Sequence, residues 1–157
     1  MDASRPITLP ACAKWGLDDL SYKYSDFISI NRYWGWYEIP GDIKKAGIML
    51  EKELNQLFVK YHKPIMLTEF GADTVEGLHA TYPQMFTEEY QTELTLRYFE
   101  IIEKLPFTIG EHIWNFADFR TAQHFRRVVL NKKGIFNRQR DPKSAAFAIR
   151  KHWNKNS

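Results

Sequence analysis

Cysteine is almost missing: the 157 residues contain one, Cys12, so no disulfide can form within the chain and nothing calls for an oxidising compartment. Long apolar runs are missing too, and none nears the ~20 residues of a membrane-spanning helix. Met1–Pro6 has no apolar h-region, so no signal peptide is expected and the cytoplasm is the expected location. No Gly-rich phosphate loop follows any apolar run. The five histidines show neither HExxH nor another ligand spacing, so no metal and no cofactor are expected. Nothing supports a nucleophilic Cys or Ser. A single-sign charge excess is small, +3, too mild to imply nucleic acid or an anionic membrane. Repeats and low-complexity linkers are absent, so residues 1–157 read as one unit.

Aromatic residues are what is abundant: 15% of the chain, with five Trp and eight Tyr. Flat apolar rings with polar tips suit sugars, and equally fill ordinary cores. Short apolar runs at Ile7–Leu9, Phe27–Asn31, Pro64–Glu69 and Thr108–Trp114 read as buried parallel strands. Between the second and third, Ile43, Ala46, Leu50, Leu54, Leu57, Phe58 and Tyr61 form one helical stripe behind an Asp42 cap. Between the third and fourth, Thr87 caps a helix with Glu88 and Glu89 in its first turn. Its stripe is Tyr90, Leu94, Tyr98, Ile101 and Leu105. Asp141-Pro142 predicts a last helix, cap then first-turn proline, through Ala145, Ala146, Ile149 and Trp153. The order βαβαβαβ plus a helix is an α/β fold with a parallel sheet. Four such units make half of a (β/α)8 barrel of ~250 residues. A doubly wound open sheet is the alternative, without its usual fingerprint.

Polar residues close three of these strands. Asn31 ends the second, Glu69 the third and Trp114-Asn115 the fourth, and a barrel assembles its active site at the carboxyl ends of its strands. Asn31-Arg32-Tyr33-Trp34-Gly35-Trp36-Tyr37 is either a core-capping cluster or a ligand platform. Trp114 is a packing ring or a recognition wall. The basic segment Arg126–Gly134 is a solvated charge run or an anion clamp, because Arg and Lys offer forked donors and point charge to a carboxylate or phosphate.

These motifs, with Thr68-Glu69-Phe70-Gly71-Ala72-Asp73, Trp114-Asn115-Phe116-Ala117-Asp118-Phe119, Asn131-Lys132-Lys133-Gly134-Ile135-Phe136 and Pro142-Lys143-Ser144-Ala145-Ala146-Phe147, resemble the β-glucuronidases of glycoside hydrolase family 2. The resemblance runs in order from about Arg5 to Trp153. It implies the carboxyl-terminal half, strands five to eight, of that family's TIM barrel. It also implies retaining hydrolysis of β-D-glucuronides by two carboxyls ~5–5.5 Å apart. By resemblance Glu69 is the nucleophile. Asn31, Tyr33 and Tyr37 line the sugar pocket, Trp114 forms a wall, and Arg127, Asn131 and Lys133 meet the sugar carboxylate. The Asn-x-Lys pair gives a uronate one neutral donor and one countercharge.

The family's acid/base residue is a Glu directly after an Asn, and the chain has no Asn-Glu dipeptide. Asp73, Glu111 and Asp118 stand near strand ends but match positions with other roles. The expectation is therefore a piece of an enzyme, partnered by the missing half of the barrel and by a glucuronide. Its relatives are commonly tetrameric, so a homo-oligomer is also expected. A non-catalytic uronate-binding half-barrel and a β-galactosidase-like or galacturonidase-like enzyme stay open. So does a nucleic-acid or phospholigand binder using Lys132, Lys133, Arg138, Arg140 and Lys143.

Overall fold

The computed structural model describes residues 4–156, so Met1–Ala3 of the leading segment lie outside the described residues. Strands β1 (Pro10–Ala11), β2 (Ile28–Asn31), β3 (Ile65–Phe70) and β4 (Thr108–Ile113) form one sheet in that order, every neighbouring pair parallel. Helix α1 (Ser21–Tyr24) precedes β2, α2 (Ile43–Tyr61) joins β2 to β3, and α3 (Glu88–Lys104) joins β3 to β4. After β4 comes an antiparallel ribbon, β5 (Phe119–Arg120) with β6 (Leu130–Asn131), which the sequence did not announce; α4 (Ser144–Trp153) follows it. Among the described residues no helix is long and apolar enough to cross a membrane.

The helical stripes meet the sheet as their periodicity requires. Ala46, Leu50, Leu54 and Leu57 of α2 and Tyr90, Leu94, Tyr98 and Ile101 of α3 are buried with Ile28, Ile30, Ile65 and Leu67 in one core. Asp42 caps α2 by accepting from the Lys45 amide at 2.8 Å, and Thr87 caps α3 by accepting from the Tyr90 amide at 3.2 Å. These side chains satisfy amides that the first helical turn leaves without partners.

Two expectations need correction. The first strand is Pro10–Ala11 rather than Ile7–Leu9. Ile7 and Leu9 stay exposed while Ala11 is buried beside β2, so burial, not apolar content, decided the pairing. The last helix starts at Ser144, not at Pro142. Asp141 closes a turn with Asn137 through amide bonds of 2.9 Å, and Pro142 bridges Phe136, so neither is free to begin a helix. The cap comes instead from a distant residue. Glu88 Oε2, at the start of α3, accepts from both the amide and the hydroxyl of Ser144 at 2.6 Å, and Glu88 Oε1 accepts from the Gly77 amide at 2.8 Å.

The sheet has two edges, β1 and β4. Beside β4 a groove of about 690 Å³ runs between the strand and α4, lined by Ile113, Phe116, Phe136, Phe147, Ile149 and Trp153 among others. Phe116, Phe147 and Trp153 are exposed there. An unpaired strand edge beside exposed rings is a surface suited to pairing with a further strand or a partner.

Two substitutions test this architecture. Glu88→Ala should cost about 2 kcal/mol, since bonds to an ionised acceptor contribute more than neutral ones. Burial pushes the Glu88 carboxyl up, but its bonds to Ser144 and Gly77 outweigh that and hold it below the ordinary 4.5. The stabilisation is therefore complete above about 4.5 and lost as pH falls through the depressed value. Urea unfolding across pH should show the gap between wild type and variant closing in acid. Gly71→Ala places a Cβ 2.4 Å from the Trp114 carbonyl oxygen at φ +153. The clash is with backbone, so unfolding should show a loss of about 1–3 kcal/mol or more.

Candidate active site

Strict alternation along β3 would send Glu69 to the wrong side. Ile65 and Leu67 are buried against the helices, and a residue two further on should join them. The register prevents it. Ile30 pairs with Leu67 but Asn31 pairs with Glu69, and on the other side Leu67 pairs with Glu111 but Phe70 with Ile113. Between Leu67 and Phe70, β3 thus holds one more residue than the facing stretch of either neighbour, a bulge that reverses the parity beyond it. Phe70, not Glu69, enters the helical layer, where it stacks on Tyr98 with centroids 4.8 Å apart. Glu69 turns to the strand ends, half-buried.

There Tyr33 donates to Glu69 Oε2 at 2.7 Å. Burial first, and then the bond to Glu69, push the Tyr33 hydroxyl far above its usual range, so it stays protonated and acts as a donor. Asn31 Oδ1 accepts from Thr68 Oγ1 at 2.7 Å, which ties the ends of β2 and β3 together.

The aromatic loop after β2 is held from behind. Buried Arg32 donates through Nε to Glu53 Oε1 at 2.8 Å and through Nη1 to the Asn31 and Ala11 carbonyls. Trp34 Nε1 donates to the other Glu53 oxygen at 2.9 Å, and Tyr98 donates to the Trp34 carbonyl at 2.8 Å. Arg32 and Trp34 are therefore structural members of the motif, which leaves Tyr33, Trp36 and Tyr37 for the site side. Tyr33 and Tyr37 lie with ring centroids 5.0 Å apart.

The far side of Tyr37 carries the cations. Its hydroxyl oxygen accepts from Arg127 Nη2 at 2.8 Å and from Lys133 Nζ at 3.0 Å. The Lys133 ammonium lies over the rings of Tyr33, Trp36 and Tyr37, 4.8–5.6 Å from their centroids, a favourable setting for a cation. Both cations also meet Asp73 Oδ2, Arg127 Nη1 at 2.9 Å and Lys133 Nζ in a short contact. Asn131, buried in β6, turns its Oδ1 to the Lys133 amide at 3.2 Å and retains its amide nitrogen as a donor. Trp114 follows β4, its indole edge-on to Phe119 at 6.0 Å, its amide bonded to the Phe70 carbonyl at 2.8 Å and its carbonyl against Gly71.

The basic segment is solvated at its start, where Arg126 is exposed, and buried at its end. Lys133 is 1% exposed, and Lys132 is buried with its ammonium 2.6 Å from Glu76. Lys143 is buried as well, donating to Asp118 Oδ1 at 2.8 Å and to the Thr74 and Lys132 carbonyls. Three of the five cations offered for a phosphate backbone are thus turned inward. Gln91 of α3 braces the same loop through the Ala72, Lys133 and Gly134 carbonyls.

Glu69, Tyr33, Tyr37, Lys133 and Arg127 form one chain of contacts, and Asn131 enters it through the Lys133 backbone. Asn31 borders it, and Trp114 is joined to it through β3. The sequence reading passed over Asp73 as an ion partner. Its only signal is an acid four residues past Glu69, and which cations would reach it depends on a loop 50 residues away. Among the described residues no group of His, Cys, Asp and Glu could hold a metal ion.

Known proteins give this arrangement a context. The model of the glycosyl hydrolases family 2 TIM barrel domain matches residues 1–157. A β-glucuronidase of Paenibacillus borealis is 44% identical over 155 residues, 98% of this chain and 26% of that protein. The Homo sapiens β-glucuronidase is 42% identical over 98% of the chain and 24% of its own length. The solved β-D-glucuronidase of Dictyoglomus thermophilum superposes with a TM-score of 0.93 at 46% identity, covering 98% of this chain and 26% of that one. The chain spans about a quarter of the length of the curated relatives it matches. With a whole-chain family match and four parallel strands alternating with helices, this chain belongs to the TIM barrel domain of glycosyl hydrolases family 2.

Proposed function

We propose that the chain is the nucleophile-bearing half, strands five to eight, of the catalytic barrel of a retaining β-glucuronidase. The observation that carries this reading is the connection between carboxylate and cations. Glu69 is bonded to Tyr33, Tyr33 packs on Tyr37, and Tyr37 is bonded to Lys133 and Arg127. One pyranose ring laid along the two tyrosines would offer its anomeric carbon to Glu69 and its carboxylate to the cations.

In the proposed mechanism the free Glu69 oxygen attacks the anomeric carbon while the Tyr33 bond holds the other oxygen in place. The aglycone oxygen leaves with the bond electrons and takes a proton from a carboxylic acid in the part of the barrel that this chain does not contain. Water then resolves the glycosyl-enzyme ester with inversion, so the anomeric configuration is retained overall. Lys133, Arg127 and the Asn131 amide hold the sugar carboxylate, and Asn31, Tyr37 and Trp114 shape the pocket. A neutral hexose would leave the positive charge that Asp73 does not balance without an anion. That penalty is the basis of selection for a uronide over a galactoside. The β4 edge and its groove fit a partner role for the other half of the barrel.

An activated donor separates attack from protonation, because a fluoride leaving group needs no acid. Incubation with 2-deoxy-2-fluoro-β-D-glucuronyl fluoride should add one sugar to the peptide holding Glu69, read by mass spectrometry, and Glu69→Gln should abolish it. No adduct on the wild-type chain would sink the nucleophile assignment. In the chain joined to the rest of its barrel, Lys133→Gln should lower kcat/KM for an aryl glucuronide by about 100-fold or more, as loss of a charged partner costs several kcal/mol. The same change should leave any aryl galactoside activity within a few fold. Equal losses on both substrates would remove Lys133 from uronate selection.

A further inference from the structure

The cation cluster assigned to the sugar carboxylate already contains a carboxylate of its own, and the inference drawn from it rests on the uronide reading of this site. Asp73 is 1% exposed and every bond it makes serves the clamp. Its Oδ1 accepts from the Lys132 amide at 2.9 Å, which fixes the side chain to the loop that carries Lys133. Its Oδ2 receives both Arg127 Nη1, at 2.9 Å, and Lys133 Nζ. Two cations drawn to one oxygen then place their next donors, Arg127 Nη2 and Lys133 Nζ, on one further acceptor, the Tyr37 hydroxyl, at 2.8 and 3.0 Å.

Charge bookkeeping adds a second argument. Arg127 and Lys133 contribute two positive charges and Asp73 one negative, so the buried cluster carries one surplus positive charge. Among the described residues Asp73 is the one carboxylate that pairs directly with either cation. Lys132 is spent on Glu76 at 2.6 Å, and the half-buried Glu69 faces Tyr33. Arg126 lies over the Tyr37 ring at 5.3 Å but is exposed and screened by solvent. One surplus charge matches one carboxylate. A buried Lys133 beside a half-buried Arg127 without an anion would be costly, since an unpaired buried charge destabilises strongly.

We propose that Asp73 is a positioning residue for the carboxylate clamp: the resident counter-ion that gathers Lys133 and Arg127 on one oxygen and leaves a single positive charge for the sugar. The free protein then holds the clamp in its binding geometry before substrate arrives. This pre-organisation lowers the cost of ordering two long cationic side chains on binding.

Anion rescue tests the proposal. Asp73→Asn keeps the shape and an acceptor for the Lys132 amide but removes the charge. Its melting temperature should fall on the order of 5 °C or more. Sodium acetate should restore over half of that loss, compared with sodium chloride at equal ionic strength, because a carboxylate binds the folded variant alone. Wild type, whose clamp keeps a single unmatched positive charge, should gain less from acetate than the variant, which has two. The double variant Asp73→Asn, Lys133→Met has one cation fewer and should lose the acetate response. Where Asp73→Asn does not fold by itself, refolding yield with and without acetate reads the same equilibrium.

If acetate does no more than chloride, or if Asp73→Asn is as stable as wild type, the counter-ion role is overturned and Asp73 only anchors the Lys132 amide. The uronide reading fails separately. Acetate rescue together with no glucuronyl adduct on Glu69 would keep Asp73 as the counter-ion of an anion site while discarding the glucuronidase assignment.

Discussion

One additional residue in β3, between Leu67 and Phe70, is the constraint on which the rest of the site depends. A strand shows alternate side chains to opposite faces, so an insertion of one residue exchanges the faces for everything after it. Phe70 thereby reaches Tyr98 and Phe99 in the helical layer. Glu69 is released from that layer and meets Tyr33. Without the insertion an ionisable carboxyl would enter an apolar core, and the core would lose its ring stack. The two consequences support each other: burial of Phe70 holds the bulge, and the bulge aims Glu69.

The loops around Glu69 are made firm from behind rather than from within the site. Glu53 takes Arg32 and Trp34, Glu88 takes Gly77 and Ser144, Gln91 takes three carbonyls, and Lys143 takes Asp118 with two more. These braces tie helices and helix starts to one another and to loops that follow strands. The hydrogen bonds of these buried groups hold irregular backbone in one arrangement, although Gln91 Oε1 and Asp118 Oδ2 stay without a hydrogen-bond partner. Burial pulls the Lys143 ammonium down and pushes the Asp118 carboxyl up, even though the two are 2.8 Å apart. Charge here serves architecture, while the charge of Lys133 and Arg127 is left facing Tyr37 and Asp73.

Much of the fold was legible because it rests on local periodicity. The stripes from Ala46 to Leu57 and from Tyr90 to Leu105 lie where helical spacing puts them, and Asp42 and Thr87 cap as their types prefer. The expectations that failed depend on partners far along the chain. Asp141-Pro142 has the local form of a helix start, yet Glu88, more than 50 residues earlier, supplies the cap two residues later. Ile7 and Leu9 are apolar enough for a strand, but the ladder with β2 takes in Pro10 and Ala11, while Ile7 bonds to Asp26 ahead of that strand. At the site, residue types and order were readable: an acid closing a strand, an aromatic loop, an Asn-x-Lys. That Lys133 is buried and spoken for by Asp73 was not.

By itself the sequence determined the class of fold, the helix-bearing segments and the chemical inventory, since propensity, capping and periodicity act within a few residues. Only the tertiary structure decided which way Glu69 points, which aromatics of the Asn31–Tyr37 loop brace it and which line it, and where the basic segment discharges. Those outcomes follow from strand register and from ion pairs between residues tens of positions apart. A register shift leaves no mark in local composition, and a buried cation chooses among several carboxylates only when the packed loops bring one of them within reach.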